Sequence, residues 1–439
     1  MSRLTHGRVI RIAGPIVLSN ATVPLLGAVD TAVIGQLGEA APLGAVGIGA
    51  VILATLYWAF GFLRMSTSGL AAQAQGAGDM AERSAVLLRA LIVGALAGLA
   101  LVVAQVALFG AVFSLAPASA EVEGLARQYL AIRIWGAPAT IALYALTGWL
   151  VGLERTRGVL VLQLWQNGLN IGLDLWFVIG LGWGVPGVAA ATLIAEWTGL
   201  ALGLWLARDA FGPVLRAALA RLADRVALGR MFTASRDIMA RTVLLQLCFT
   251  SFVFLGARFG DVTLAANQVL MQFLEITAYA LDGFAFAAEA LIGQAVGARS
   301  AVETRRAGLL CMQWGFGGAV GLAVVFGLAG PAIINLMTTA PEVRLAAQDY
   351  LPWLIAAPLI GVAAWVYDGI FIGAMLTGDM LTATLVSVAV YAVALAVLLP
   401  AFGNHGLWAA LMVLNGARTV AMWQRYPKVA AKAGAKAAA

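Results

Sequence analysis

The chain alternates long apolar runs with short polar breaks along nearly its whole length. Breaks at Gly, Pro and charged residues divide it into twelve stretches, many of which reach the roughly 20 residues that a helix needs to cross a bilayer. The pattern predicts an all-α integral membrane protein with twelve transmembrane helices. We place the spans at residues 14–36, 43–73, 85–114, 127–152, 159–181, 186–207, 232–257, 264–296, 307–333, 345–375, 381–401 and 405–424.

Composition supports a membrane protein, since the chain is 62% hydrophobic and 11% charged, with a mean hydropathy of +0.93. A soluble domain carries roughly a quarter charged residues, so we expect the lipid bilayer to be this chain's surroundings. The pI near 9.6 does not indicate nucleic acid, because the arginines fall mostly in short loops between spans. Cys248 and Cys311 lie in apolar runs, which predicts buried thiols and no disulfide.

Loop charge is asymmetric on this span assignment. Nearly all loop Lys and Arg residues fall on the side that holds both termini, and the other side holds only Arg127, Arg258 and Arg344. The positive-inside rule then places both termini in the cytoplasm. We expect a multi-pass protein of the bacterial inner (plasma) membrane.

The two halves of the sequence repeat. Short segments match in the same order at offsets of 219 to 222 residues, for example 72–77 against 293–298. Each half holds six spans, an even number, so both insert with the same orientation and are related by a parallel pseudo-two-fold axis. We expect an N-lobe at 1–207, a basic cytoplasmic inter-lobe loop at 208–230, a C-lobe at 231–424 and a disordered cytoplasmic tail at 425–439.

Five acids inside the predicted spans have no acidic counterpart in the other half. An ionisable side chain in hydrocarbon costs about 2.5 kcal/mol or more, so an acid that only one repeat carries is not required by the shared fold. This asymmetry favours a functional role. The five acids are Asp30, Asp174, Asp282, Glu289 and Asp368.

Polar residues lie near the acids of the predicted N-lobe. Asn170 and Asp174 are four residues apart and share a helix face, and Thr192 lies in the next span. If Asp30 packs beside them, the group offers oxygen ligands suited to a proton or a hard cation. The alternative is an Asn–Asp hydrogen-bond clasp that only joins helices.

Two prolines lie in the same span as Asp30. Pro15 and Pro24 each remove a backbone hydrogen bond and permit a bend in the first helix. We therefore predict a helix-1 kink close to the acid.

In the C-lobe, Glu275, Asp282 and Glu289 recur at intervals of seven residues. They form one helical stripe about 21 Å long at 1.5 Å per residue, and Asp368 is a possible neighbour. The stripe predicts a polar cavity wall or a second ion site, and the alternative is a row of protonated acids without a role.

Aromatic and methionine side chains that line a cavity can hold bulky apolar cations, although many such residues face lipid or core instead. Arg64 and Arg133 fall inside or near spans, where the simplest role is to pair with an acid. The predicted substrate-cleft candidates are Tyr57, Arg64, Met65, Met271 and Tyr279.

No chemical motif accompanies these residues. The chain has two histidines and no HExxH, CxxC or Walker pattern. We expect no cofactor, no metal and no enzymatic activity, since a membrane-embedded enzyme would need a nucleophile–base pair or a metal set.

Several stretches resemble the MATE family (multidrug and toxic compound extrusion), and the resemblance extends from about residue 8 to residue 424. The stretches are VDTAVIG at 29–35, GFLRM at 61–65, NIGLD at 170–174, AYALDGFA at 278–285 and DGIFIG at 368–373, the last two being similar to the DinF-type branch. The resemblance implies two six-helix lobes that form a V.

The resemblance also implies roles for residues. Asp30, Asn170, Asp174 and Thr192 correspond to the family's N-lobe cation or proton site, and Pro15 to the proline at which the first helix bends. The acids Asp282, Glu289 and Asp368 match polar C-lobe positions of the branch. Substrates in the family are mostly amphipathic organic cations.

Together these features predict a secondary active antiporter that exports amphipathic, mostly cationic compounds in exchange for protons, or sodium, by alternating access of two lobes. We expect a monomer whose partners are small organic substrates and lipid. The alternative is a lipid-linked oligosaccharide flippase of the wider superfamily, which basic residues in the cleft would favour.

Overall fold

The computed structural model describes residues 4–22, 29, 32–36, 39–115 and 119–434, and these ranges contain helices and no strand. The predicted helical fold class is confirmed. Helices of the first half are α1 His6–Ala21, α2 Ala40–Trp58, α3 Phe62–Gly76, α4 Met80–Leu115, α5 Ala120–Arg133, α6 Ala137–Gly152, α7 Thr156–Asp174, α8 Gly184–Leu206 and α9 Leu215–Ala220. The second half holds α10 Arg225–Gly256, α11 Asp261–Gly297, α12 Ala301–Met337, α13 Pro341–Gly373, α14 Thr377–Arg425 and α15 Pro427–Gly434.

Within the described ranges, nine helical stretches are long and apolar enough to cross a membrane, judged by length and composition. One of them contains a break, since Gly403 inside α14 has φ 56° and non-helical geometry. The break falls between the predicted spans 381–401 and 405–424. Part of the first predicted span lies outside the described ranges, so the count of twelve stays a prediction.

The chain forms two compact units. The first unit is Leu18–Ala71 with Asp79–Met231, and the second unit is Met1–Val17, Ala72–Gly78 and Phe232–Ala439. Each has its own apolar core, with Tyr57 and Tyr129 in that of the first unit and Phe252 and Trp408 in that of the second.

The sequence repeat extends to the backbone at the helix ends. Positive φ angles occur in pairs 221 residues apart: Gly78 with Arg299, Glu154 with Met375, and Gly182 with Gly403. At Glu154 and Met375 the preceding helix ends in the same way. The amide of the following residue donates to a carbonyl five residues earlier, from Arg155 to Leu150 at 2.8 Å and from Leu376 to Phe371 at 2.9 Å. A left-handed residue with such a bond is a standard helix end.

Glycine contacts between helices repeat at the same offset. A Cβ on Gly148 would lie 2.1 Å from the carbonyl oxygen of Arg64, and a Cβ on Gly369 would lie 2.1 Å from that of Ala285. Only glycine permits these approaches of α6 to α3 and of α13 to α11, since small residues let membrane helices pack backbone to backbone. The helix pairs that carry site residues are fixed in this way.

The inter-lobe segment and the tail are more ordered than the sequence predicts. Helix α10 begins at Arg225, inside the predicted loop, and α9 lies within it. Asp209 accepts hydrogen bonds from Arg155 and Arg83. Burial alone would raise the pKa of Asp209, but the bond and charge of Arg155, with the charge of Arg83, hold it below its ordinary value.

The expectation of a disordered tail is corrected for residues 427–434, which form α15. Val429, Ala430 and Ala433 are buried on one face of this helix. The low-complexity Ala/Lys composition suggested disorder, but alanines spaced along a helix face can pack against a neighbouring surface.

We predict that Gly148→Ala lowers the unfolding temperature, because the new methyl group meets a backbone carbonyl that cannot move alone. Overpacking of this kind costs about 1–3 kcal/mol. The control is Gly168→Ala in α7, where a Cβ meets nothing within 4 Å. Tryptophan-detected thermal unfolding in detergent measures both variants. Equal unfolding temperatures would contradict the close approach of α6 to α3.

Candidate functional site

A polar stripe runs along α7. Gln163, Asn167, Asn170 and Asp174 follow at intervals of four, three and four residues, so they share one helix face. The last three are buried, and Asp174 is 0% exposed. Asp174 ends the α-helix, and a single π-helical turn, Leu175–Gly180, follows it. Such turns often occur at functional positions.

Thr192 of α8 faces this stripe. The Nδ2 group of Asn170 donates to Thr192 Oγ1 at 3.0 Å, and Thr192 Oγ1 donates to the carbonyl of Val188 at 3.0 Å. Asn170 is 1% exposed, and its Oδ1 accepts no hydrogen bond from the residues that the structure describes. The structure therefore joins Asn170 to Thr192, one helical turn from buried Asp174, and leaves a buried amide oxygen without a hydrogen bond among the described residues.

The stripe continues to the end of α1. Asn167 Nδ2 donates to Thr22 Oγ1 at 2.9 Å and to the Thr22 carbonyl at 3.2 Å, while Gln163 Nε2 donates to Asn167 Oδ1 at 2.9 Å. Sequence reasoning missed Asn167 and Gln163. The signal was present, because both continue the helical spacing of Asn170 and Asp174 by one and two turns.

Two predicted residues of this region, Asp30 and Pro24, lie outside the described residues. Pro15 lies inside α1 and is half-buried. The first-unit site is thus described on three of its four predicted members.

The C-lobe stripe lies on one continuous helix, α11. Glu275 is exposed, Asp282 is half-buried, and Glu289 is 1% exposed. Burial therefore increases along the stripe toward the carboxyl end of the helix.

Asp368 of α13 is held by two arginines. Its Oδ2 accepts hydrogen bonds from Nη2 of Arg241 in α10 and, at 2.6 Å, from Nη2 of Arg418 in α14. Arg418 Nη1 also donates to Asn415 Oδ1 at 3.2 Å. Sequence reasoning missed both arginines, although they fall within predicted spans, where any ionisable residue is a functional candidate.

Arg133 pairs with an acid, as expected. Its two Nη groups donate to the two carboxylate oxygens of Glu196 at 2.7 and 2.9 Å, and both residues are buried. This bidentate pair joins α5 to α8. Tyr57 packs beside it and donates to the Arg133 carbonyl at 3.4 Å.

The predicted cleft residues differ in exposure. Tyr57 is buried in the first-unit core, and Met271 packs against the core of the second unit. Arg64, Met65, Met271 and Tyr279 are half-buried.

Chemically, the first-unit site combines a buried carboxyl with an amide oxygen and a hydroxyl. These groups can hold a proton on the carboxyl or coordinate a small hard cation. Among the described residues, no group of three His, Cys, Asp or Glu side chains converges as metal ligands do.

Comparisons with known proteins agree with this architecture. The MatE family model matches residues 15–176 and 238–398, once in each half. DNA damage-inducible protein F of Escherichia coli K12 is 41% identical over 422 residues, covering 94% of this chain and 91% of that protein. "Probable multidrug resistance protein NorM" of Deinococcus radiodurans is 31% identical over 346 residues, covering 74% of this chain and 71% of that protein.

Solved structures share the fold. A crystal structure of MATE in the straight conformation aligns with a TM-score of 0.87 at 19% identity, covering 97% of this chain and 96% of the other. A variant of the Vibrio cholerae MATE transporter VcmN aligns with a TM-score of 0.80 at 22% identity, covering 96% of each chain.

We predict that Thr192→Val lowers the unfolding temperature and that Thr192→Ser does not. Valine removes the acceptor of a buried amide, which costs about 1–3 kcal/mol. The control is Thr55→Val, because Thr55 is exposed and donates only to Val51 of its own helix. Thermal unfolding in detergent measures the set, and equal losses in the two valine variants would contradict a specific Asn170–Thr192 contact.

We further predict that Arg133→Gln and Glu196→Gln each destabilise the protein strongly, by about 3–5 kcal/mol, since either leaves one buried charge without its partner. The double variant should lose less than the sum of the two. The exposed Arg127–Glu123 pair provides the control, with an expected change of about 0.5 kcal/mol or less. Additive losses at Arg133 and Glu196 would argue against a coupled pair.

Proposed function

The chain belongs to the MatE family of membrane transporters, and from this premise we propose that it is a secondary antiporter of the bacterial inner membrane. It exports amphipathic, mostly cationic organic compounds in exchange for protons, or for sodium. The family membership and the bacterial relatives support export of small organic compounds. We propose that it acts as a monomer, with both termini in the cytoplasm and lobes at 1–207 and 231–424.

The observation that carries the coupling proposal is the full burial of Asp174 beside Asn170 and Thr192. A carboxyl in a low-dielectric interior is stable either when protonated or when a cation neutralises it. One helical turn away, Asn170 donates to Thr192, so an amide and a hydroxyl lie on the same face as this carboxyl. Occupancy by an ion therefore changes the charge of this interior.

We place Asp30 in the same site and a bend of the first helix at Pro15. Loss or gain of charge at the site would favour one of two lobe arrangements, and the ion then biases the equilibrium between outward-open and inward-open states. Asp282 and Glu289 are proposed to line the C-lobe wall of the substrate path.

A lipid-linked oligosaccharide flippase is the second candidate. Buried Arg241 and Arg418 are basic residues of the kind that would contact a phosphate-bearing lipid. The requirement for an ion gradient separates the two functions.

The test is proton release from proteoliposomes with an imposed pH gradient when ethidium is added. We expect release from the wild type, and none above that of empty liposomes from Asp30→Asn or Asp174→Asn. The control is Asp224→Asn, an exposed residue that accepts the amides of Val226 and Ala227, a role that Asn can keep. Release that persists in both site variants would overturn coupling through this site, and release driven only by a sodium gradient would assign sodium.

A further inference from the structure

The second unit contains a charge cluster in which arginines outnumber their bonded acid. Arg241 and Arg418 both donate to the same oxygen, Oδ2, of Asp368. In the first unit, by contrast, the fork of Arg133 meets both oxygens of Glu196. At Asp368, one carboxylate oxygen therefore serves two guanidinium groups. At Glu196, two carboxylate oxygens serve a single guanidinium group.

Hydrogen-bonding capacity is left over in this cluster. Asp368 Oδ1 and the Nε groups of Arg241 and Arg418 are buried and make no hydrogen bond with any residue that the structure describes. A guanidinium group carries five N–H donors and stays charged at any physiological pH. Two such groups therefore offer more donors than Asp368 and Asn415 accept.

The two arginines share one directly bonded acid. Asp368 pairs directly with both arginines, and the charge of Asp282 acts on Arg241 as well. Asp282 is half-buried, whereas Asp368 is 7% exposed. A buried cation is stabilised chiefly by an anion in direct contact, so a second bonded anion would stabilise this cluster.

A polar face leads to the cluster. Gln272, Glu275, Tyr279 and Asp282 lie on one side of α11, and each is exposed or half-buried. Polar and acidic groups in a spanning helix face water or protein in preference to lipid. The row ends at Asp282, the member whose charge acts on Arg241.

We propose that Arg241 and Arg418 form an anion subsite that takes the carboxylate, sulfonate or phosphate group of an amphipathic solute and competes with Asp368 for the two guanidinium groups. A planar carboxylate fits this fork geometry. The inference rests on the proposed export of amphipathic compounds and extends its substrates to zwitterions and anions. Binding is tested apart from transport, so either proposal can fail alone.

The experiment measures binding of 1-pyrenebutyrate to the full chain in detergent by fluorescence, with 1-pyrenebutanol as the uncharged analogue. We expect Arg241→Gln and Arg418→Gln each to weaken pyrenebutyrate binding by about tenfold, with pyrenebutanol binding unchanged. Arg230→Gln removes an exposed charge from the same helix as Arg241 and should bind like the wild type.

The direction of the change in pyrenebutyrate affinity in Asp368→Asn separates the two interpretations. Removing the competing carboxylate should tighten pyrenebutyrate binding several-fold, whereas a purely structural cluster would lose binding of both probes. This arm keeps both arginines and so tests the site without removing a guanidinium group. Weaker pyrenebutyrate binding in Asp368→Asn, or equal effects on the two probes, would overturn the subsite.

The source of the anion is separated in nanodiscs. Binding of pyrenebutyrate that is equal in phosphatidylcholine and in phosphatidylglycerol nanodiscs would support a solute site. Weaker binding of pyrenebutyrate in phosphatidylglycerol than in phosphatidylcholine would indicate competition by the lipid headgroup. If Arg418→Gln removes this difference between the two lipids, the headgroup is the occupant and the solute assignment is overturned.

Discussion

The cost of placing charge in a low-dielectric interior governs the polar structure of this protein. Asp174, Glu196 and Arg418 are all buried within helices of a membrane protein, where an uncompensated ion costs several kcal/mol. Each must therefore meet an opposite charge, share hydrogen bonds or become neutral. The three residues differ in how their charge is stabilised. This difference distinguishes structural ion pairs from candidate binding sites.

Arg133 and Glu196 show the structural solution. Their bidentate contact pairs both charges, joins two helices and bonds both oxygens of the carboxylate. Asp174 is fully buried one helical turn from Asn170, whose amide donates to the hydroxyl of Thr192. At Asp368 both arginines bond a single carboxylate oxygen. The other oxygen, Oδ1, has no hydrogen-bond partner among the described residues.

Much of the fold could be predicted, because apolar run length and internal repetition are local properties of a sequence. The repeat even reaches the backbone, where Glu154 and Met375 adopt the same left-handed geometry. The ion pairs could not be predicted, because partners such as Arg241 and Asp368 are distant in the chain and meet only through helix packing. Arg241 and Arg418 lie inside predicted spans and not in the loops whose charge was counted. Asn167 could have been predicted from its helical spacing to Asn170. Residues 427–434 were misread because composition does not show whether a neighbouring surface is present.

The contrast between the two units bears on how an ion could drive transport. The shared features, such as Gly148 and Gly369 at their backbone contacts, belong to the helical scaffold and recur. Buried Asp174, Glu289 and Asp368 have no acidic counterpart at the repeat offset, so the two units differ in their buried acids. A guanidinium group keeps its proton and thus cannot itself carry one across the membrane. A buried carboxyl can change its charge by binding a proton or a cation, so we expect the energy-coupling step to belong to Asp174, while a cluster of fixed charge such as Arg241 and Arg418 is suited to selecting what is carried.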